Sequence, residues 1–340
     1  MITIDGSEGE GGGQILRTSL ALSLITGQPI RMEKIRAGRK KPGLLNQHLT
    51  AVNAAKTISS ADVIGAELGS QTLEFQPRTV TPGNYRFAVG TAGSATLVLQ
   101  TILPPLLQAS GSSSLTMEGG THNPSAPPFD FLKSCFVPVL ERMGPRIRLE
   151  LRRPGFFPAG GGSFLAQIEP VRHLRPIEIL HRGSIQRRRA RAMISKLSPQ
   201  IAERELSVAR RVLEWEPSEC VVESVTTSPG PGNVFLLELE AEHTVAVFTG
   251  FGERGVTAED VARRTVLDAK SWLAADVPID ERLADQLLLP MALAGAGKFR
   301  TVKPSLHSIT NANIIQRFLP VAIQFDQESD LAWRVTVTSK

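Results

Sequence analysis

The sequence predicts an α/β (α+β) protein built from three βαβαββ repeats, with a smaller α+β domain set into the third. Three observations carry this expectation. Short apolar, strand-like runs alternate with stretches of helical apolar periodicity. The same order of elements recurs at a spacing of about 80 to 85 residues. The strand-to-helix turns are rich in glycine and small polar residues, which suits a backbone that must turn tightly.

Taken in order, residues 2–4 read as a strand and 6–13 (GSEGEGGG) as a glycine loop. A helix follows from Gln14, with Ile15, Leu16, Leu20, Leu24 and Ile25 on one side and Gly27 as its stop. A second strand over 29–35, a basic loop over 36–43, a helix over 44–60 and two strands near Val63 and Leu73 close the first unit. The second unit repeats this order, with strands over 85–89 and 115–118, helices over 95–109 and 129–143, and closing strands over 147–151 and 164–168. The third is legible only if it is split. Its first strand lies over 177–180, its helix over 280–294, and its remainder comprises a strand over 299–302, a helix from Ala312 and strands near 321–325 and 333–337. The expected organisation is therefore a core of residues 1–180 and 277–340, with 181–276 as the inserted α+β domain. Within the insert, helices are expected over 199–213 and 258–274, and strands over 221–225, 234–239 and 244–248.

Apolar residues at 41% and charged residues at 21% describe a globular chain. Cys135 and Cys220 are the only cysteines and form no C-x-x-C pair, which argues against zinc, iron–sulfur and a disulfide framework. The start, MITIDGSEG, has no charged segment followed by an apolar one, and no helix candidate reaches membrane length. A cytoplasmic protein is expected. The net charge of +5 suits a polyanionic partner without requiring one. Its arginines are grouped in what read as three loops: Arg36 and Arg39 with Lys40 and Lys41; Arg152 and Arg153; and Arg187, Arg188, Arg189 and Arg191.

The chemistry-bearing stretches begin with 304–311, PSLHSITN. With Thr310 or Asn311 capping the helix from Ala312, His307 would lie in a short loop just outside a helix N-terminus. Free N–H groups and the helix dipole favour a phosphate there, although a loop histidine bonded to a carbonyl is the plainer alternative. The loop 9–17, GEGGGQILR, is neither a Walker A nor a dinucleotide loop. It does offer Glu10 as a hard oxygen donor for Mg²⁺ and Arg17 on the following helical turn. Arg36 and Arg39 could clamp a terminal phosphate, with Gln47 one turn into the next helix. The prolines of 119–131 (GGTHNPSAPPFDF) could wall a flat base, and Asp285 and Gln286 could bind a ribose or a base edge. PGFFPAGGG, 154–162, could pass close to substrate or simply connect a hairpin. The remaining histidines, His48, His122, His173, His181 and His243, show no metal-ligand spacing.

Together the runs GEGGGQILR, IRAGRKKPGLLNQHLTAV, GTAGSATLVLQT, GGTHNPSAPP, GFFPAGGG, LADQLLLPMALAGAG and PSLHSITN resemble the RNA 3′-terminal phosphate cyclase family. They occur in family order and cover nearly all of the chain outside 181–276. The resemblance implies three repeats of the kind found in enolpyruvyl transferases, with the smaller domain inserted in the third. It also implies an ATP-dependent, AMP-forming ligase that uses Mg²⁺ or Mn²⁺ to turn an RNA 3′-phosphate end into a 2′,3′-cyclic phosphate. His307 matches the nucleophile that carries AMP, and Glu10 the metal-binding glutamate. Arg17, Arg36, Arg39 and Gln47 match residues around the phosphates. Gln100 matches a nucleotide contact, and Pro127 falls where the family packs a proline on adenine. Arg282, Leu283, Ala284, Asp285 and Gln286 match the stretch that contacts the AMP moiety. Arg282 is a departure, since it stands where relatives carry an aromatic that stacks on adenine; a guanidinium can stack there too. The implied partners are ATP and RNA, with no membrane and with a homodimer allowed. Non-catalytic relatives in ribosome assembly lack the nucleophilic histidine, and an enolpyruvyl transferase would need motifs that this chain does not carry.

Overall fold

The computed structural model describes residues 1–340. The first unit runs β1 (Ile2–Asp5), α1 (Gly13–Thr26), β2 (Ile30–Glu33), α2 (Asn46–Ser59), β3 (Asp62–Ile64) and β4 (Leu73–Gln76). Its sheet has the order β1-β2-β4-β3, with β1 and β2 parallel and β4 antiparallel to both of its neighbours. Gly27 ends α1 in the left-handed region at φ 69°, where its N–H reaches the carbonyl of Ser23.

The second unit comprises β5 (Asn84–Ala88), α3 (Ala95–Leu106), β6 (Ser113–Gly119), α4 (Phe129–Phe131), α5 (Val137–Arg142), β7 (Arg146–Arg153) and β8 (Gly162–Glu169). Residues Leu132–Phe136 join α4 to α5 as a π-helical turn, so the single helix expected over 129–143 is interrupted. The order β5-β6-β8-β7 and its strand senses repeat those of the first sheet. β9 (Ile177–Ile179), α8 (Glu281–Ala294), β14 (Ala296–Thr301), α9 (Leu306–Phe318), β15 (Val321–Gln327) and β16 (Trp333–Ser339) give the same pattern again, as β9-β14-β16-β15. Arg152 and Arg153, expected in a loop, end strand β7.

A fourth sheet is interposed in the chain between β9 and α8. It contains β10 (Ile185–Ser195), β11 (Cys220–Ser224), β12 (Gly232–Ala241) and β13 (Val245–Phe251), ordered β11-β10-β12-β13. Helices α6 (Pro199–Leu213) and α7 (Ala258–Ala275) accompany it. β10 went unread in the sequence because its arginines obscure the alternation; Arg187, Arg188, Arg189 and Arg191 lie on a strand and not in a loop. β12 is almost continuously apolar for a physical reason. Its alternate residues face opposite ways, and both faces are covered. Val234 and Leu236 join the main 68-residue core, while Phe235, Leu237 and Leu239 belong to a second cluster of 19 residues with Trp215 and Trp272.

The first three units meet around α1. Its buried face runs from Gln14 through Leu24 and packs against α2, α3 and α9. Ser19, Ala21 and Ser23 allow the neighbouring helices close approach, and Ile15, Leu16, Leu20 and Leu22 fill the spaces between them. This central helix carries the glycine loop at its N-terminus, so the loop is held where the three units converge. No helix is long and apolar enough to cross a membrane.

One buried acid makes stability depend on pH. Glu205 on α6 is 0% exposed; Asn233 Nδ2 donates to its Oε2 at 2.9 Å, and its Oε1 has no partner. Burial pushes its pKa up from 4.5 to about 8. The native state therefore retains a proton that the unfolded chain has lost, and this contribution to stability falls away as pH rises from 4.5 towards 8. Glu205→Gln should remove that slope and raise stability at pH 8 by on the order of 2–4 kcal/mol. Parallel melting temperatures for the two proteins between pH 5 and 8 would contradict this.

Candidate active site

Helix α9 begins earlier than the sequence suggested. Ser305 is its N-cap, with Oγ accepting from the N–H of Ser308 at 3.3 Å. His307 therefore lies in the first helical turn and not in a preceding loop. Thr310 and Asn311, expected as caps, are buried one turn further on and bind other elements. Thr310 Oγ1 accepts from the N–H of Glu10 at 3.1 Å. Asn311 Nδ2 donates to both Oδ1 and the carbonyl oxygen of Asp285 at 3.0 Å, while its Oδ1 accepts from Thr18 Oγ1 at 2.8 Å. Serine outcompetes them as the cap because both their side chains are engaged across the interior.

A relay of side chains sets the state of His307. Gln14, on the first turn of α1, donates from Nε2 to Asp285 Oδ1 at 2.6 Å. Its Oε1 then faces His307 Nδ1 at 2.7 Å. An amide oxygen can only accept, so Nδ1 carries the proton and the lone pair lies on Nε2. Burial lowers the His307 pKa from 6.5, with Arg17 and Arg39 acting in the same direction and Asp285 and Glu281 opposing. The imidazole is thus held neutral at pH 7, with Nε2 available.

Glu10 lies opposite that nitrogen, with Oε1 3.8 Å from His307 Nε2 and ion-paired to Arg39. Its side chain is only 8% exposed, and its Oε2 has no hydrogen-bond partner. The glycines explain how the loop reaches this place. Gly9 adopts φ 53°, and a Cβ there would overlap Thr310 Oγ1 and break the bond that fixes the Glu10 N–H. At Gly13 a Cβ would overlap the His48 ring. His48 is buried beneath the loop, where desolvation, with Arg17 and Arg36 nearby, brings its pKa down to about 3.

Beside His307 a narrow cleft of about 50 Å³ takes its walls from all three units. Gln14, Arg17 and Thr18 come from α1, Gln100 and Leu103 from α3, and Asp285 and Gln286 from α8. Arg17 is half-buried and forms no ion pair. Burial lowers its pKa to about 10, so it remains cationic at neutral pH. Burial also raises the Asp285 pKa, against the opposing hydrogen bonds from Gln14 and Asn311. Gln286 is buried with Oε1 unpartnered. An unpaired guanidinium and unused polar atoms in one cleft suit an anionic, hydroxyl-bearing ligand.

Other expected site residues lie at varying distances from this centre. Gln47 Oε1 accepts from the N–H of Ser94 at 2.9 Å, which joins the helix of the first unit to the small-residue loop of the second. Pro127 is close to the start of α3, its carbonyl accepting from Thr96 Oγ1 at 2.8 Å. Arg36 spends its Nη1 on the carbonyls of Lys41 (2.7 Å) and Gly43 (2.8 Å), and so organises its own loop. Arg282 is exposed on the first turn of α8, whereas Leu283 and Ala284 point into the core and can offer a ligand only backbone. No three His, Cys, Asp or Glu side chains are grouped to hold a metal. Sequence reasoning missed Gln14, yet its spacing from Arg17 and Thr18, three and four residues on, places all three on one helical face.

The family model described as RNA 3′-terminal phosphate cyclase matches residues 8–325. A relative from Koribacter versatilis, named RNA 3′-terminal phosphate cyclase, is 52% identical over 340 residues, covering 100% of this chain and 96% of its own. A relative of the same name from Ralstonia nicotianae is 50% identical over 331 residues, covering 97% and 94% respectively. Another, from Pseudomonas aeruginosa, is 50% identical over 339 residues, covering 100% and 98%.

The relay predicts a tautomer that can be measured without any ligand. In the unaltered protein, ¹⁵N NMR should find His307 protonated on Nδ1 above pH 7. Gln14→Leu keeps the bulk and removes the acceptor, so the population should shift towards the Nε2–H form usual for exposed histidine. An unchanged tautomer ratio would show that Gln14 does not set it.

Proposed function

The chain belongs to the RNA 3′-terminal phosphate cyclase family, and from that premise we propose that it uses ATP to convert an RNA 3′-phosphate end into a 2′,3′-cyclic phosphate through a histidine–AMP intermediate. The observation that carries this reading is the His307–Gln14–Asp285 relay, which leaves the Nε2 lone pair facing Glu10, with the Arg17 cation in the adjoining cleft. In the first step Nε2 bonds to the α-phosphorus of ATP and pyrophosphate departs. The electron pair for the new P–N bond comes from the ring, and Gln14 stabilises the positive charge left on it by accepting from Nδ1–H. An oxygen of the RNA 3′-phosphate then takes the adenylyl group, breaking the P–N bond and returning neutral His307. Finally the adjacent 2′-hydroxyl oxygen bonds to the 3′ phosphorus, AMP leaves and the hydroxyl proton is released. Adenylation matters because a phosphate monoester lacks a good leaving group and AMP supplies one.

Each remaining residue has a role in this scheme. Arg17 holds phosphate oxygens through charge-assisted bonds, joined by Arg39 and by the free nitrogens of Arg36. Gln47 steadies the loop before α3. Gln100, Pro127, Asp285 and Gln286 receive the nucleoside, with the unpartnered Gln286 Oε1 suited to a hydroxyl or amine. Arg282 lies over the base face, and Leu283 and Ala284 contribute backbone at the start of α8. The buried, unpartnered Glu10 Oε2 fits a hard divalent cation, Mg²⁺ or Mn²⁺, whose other ligands would be phosphate oxygens and water. Such an ion would neutralise charge on the phosphates.

Incubation with α-labelled ATP and Mg²⁺ or Mn²⁺, without RNA, tests the scheme. The expected result is an acid-labile, alkali-stable label on the protein that is lost in His307→Ala. Label retained in that variant would exclude His307 as the nucleophile. The free imidazole is the reactive form and its pKa is depressed from 6.5. The single-turnover rate should therefore hold as pH falls to 6.5 and be half-lost only at lower pH. A half-loss above pH 6.5 would contradict the neutral, desolvated histidine.

A further inference from the structure

Two of the three basic groups in the sequence lie on strands and are committed only in part, with Arg152, Arg187 and Arg189 free of ion pairs. Arg188 pairs with Glu219 at 2.6 Å, and Arg191 with Asp130, Glu223 and Glu238. Arg187 and Arg189 on β10 lie opposite Glu240 and Glu238 in register. Arg153 donates from Nε to the carbonyl of Gly161 at 2.7 Å. The loop 36–43 differs. Lys40 and Lys41 are exposed and take part in no ion pair or side-chain hydrogen bond. They adjoin Arg39, which is bound to the same Glu10 that faces His307 Nε2. Their backbone is pre-set, because Arg36 bonds the Lys41 and Gly43 carbonyls and the N–H of Gly43 reaches the carbonyl of Ile35 at 2.8 Å.

The helical turn that carries the nucleophile is itself apolar and open. Leu306 is 55% exposed and Ile309 is 42% exposed. They lie three residues apart on α9, and so form one ridge beside His307. Leu45, at the start of α2, is exposed as well. Acids are present but partly spent: Glu8 is paired with Arg317 at 2.6 Å, which leaves Glu281 as the nearest free carboxylate acting on His307. Unpaired lysines next to Arg39 and exposed aliphatic side chains next to His307 together make a rim that fits a single-stranded nucleic acid, which offers phosphates to the one and bases to the other.

We infer that the 3′-terminal single strand of the RNA crosses this rim, its backbone phosphates on Lys40 and Lys41 and its terminal bases against Leu306 and Ile309. This inference rests on the cyclase reading above and names the surface that the second substrate uses. The nucleotide occupies the cleft between α1, α3 and α8, so the rim belongs to RNA alone.

The test compares RNA-free self-adenylation with cyclisation of a 3′-phosphate oligonucleotide. In Lys40→Ala/Lys41→Ala, self-adenylation should be unchanged. The KM for the oligonucleotide at low salt should rise about tenfold, and the log–log salt slope of kcat/KM should shrink by about 1.4, or about 0.7 for each lost single-strand phosphate contact. Ile309→Ser should raise the same KM by roughly fivefold through lost apolar contact. An unchanged KM and salt slope in the lysine variant, with cyclisation intact, would overturn the rim, leave the cyclase reading standing and mark the patch as a surface for something other than RNA. Absence of self-adenylation in the unaltered chain would remove the reading on which the rim depends.

Discussion

The site depends on a chain of buried hydrogen bonds that cannot be half-made. Thr18, Asn311, Asp285, Gln14 and His307 are linked in series across α1, α8 and α9, with each amide donating on one side and accepting on the other. A buried polar group left without its partner costs about 1–3 kcal/mol. Shifting any one of the three helices would therefore strand several groups at once. The relay acts as a registration device: the packing that buries Leu16 and Leu20 brings the helices together, and the polar chain selects the one arrangement in which His307 is oriented.

Repetition explains why the parts converge. The first two units each place a glycine or small-residue loop where the first strand turns into a helix, and the three sheets share one strand order and sense. α1 is surrounded by α2, α3 and α9, so the first unit contributes the middle of the site and the others its walls. Gln47 on the Ser94 N–H and Thr310 on the Glu10 N–H each join a helix of one unit to a loop of another. Neither bond is possible within one repeat. The active-site geometry is a property of the assembled three.

The strand–helix order was legible because it is periodic, and the glycine loops because few other residues turn so tightly. Of the residues singled out in the sequence, Arg17, Gln100, Asp285 and Gln286 line one cleft, and Glu10 and Arg39 lie beside His307. Legibility ended where long-range partners decide. The start of α9 was misread because the sequence cannot show that Thr310 and Asn311 are claimed by Glu10, Asp285 and Thr18, leaving the capping role to Ser305. β10 was missed because its four arginines look solvated, and the sequence does not show Glu219 beside Arg188 or Asp130, Glu223 and Glu238 around Arg191. Gln14 was passed over because an amide has no chemistry of its own, and its importance comes from standing between an acid and an imidazole.

The unsatisfied groups at the centre follow a common logic. Arg17 has no anion, Glu10 Oε2 no donor and Gln286 Oε1 no donor, although all three are half-buried or buried. An apolar replacement at each would spare the desolvation cost. A ligand that met all three together would offset that cost, one that carries phosphate for Arg17, a cation for Glu10 and a hydroxyl or amine for Gln286. A metal–nucleotide complex carries each of these. Binding it would turn three local penalties into contacts, so the desolvation cost and the affinity for such a complex have the same origin.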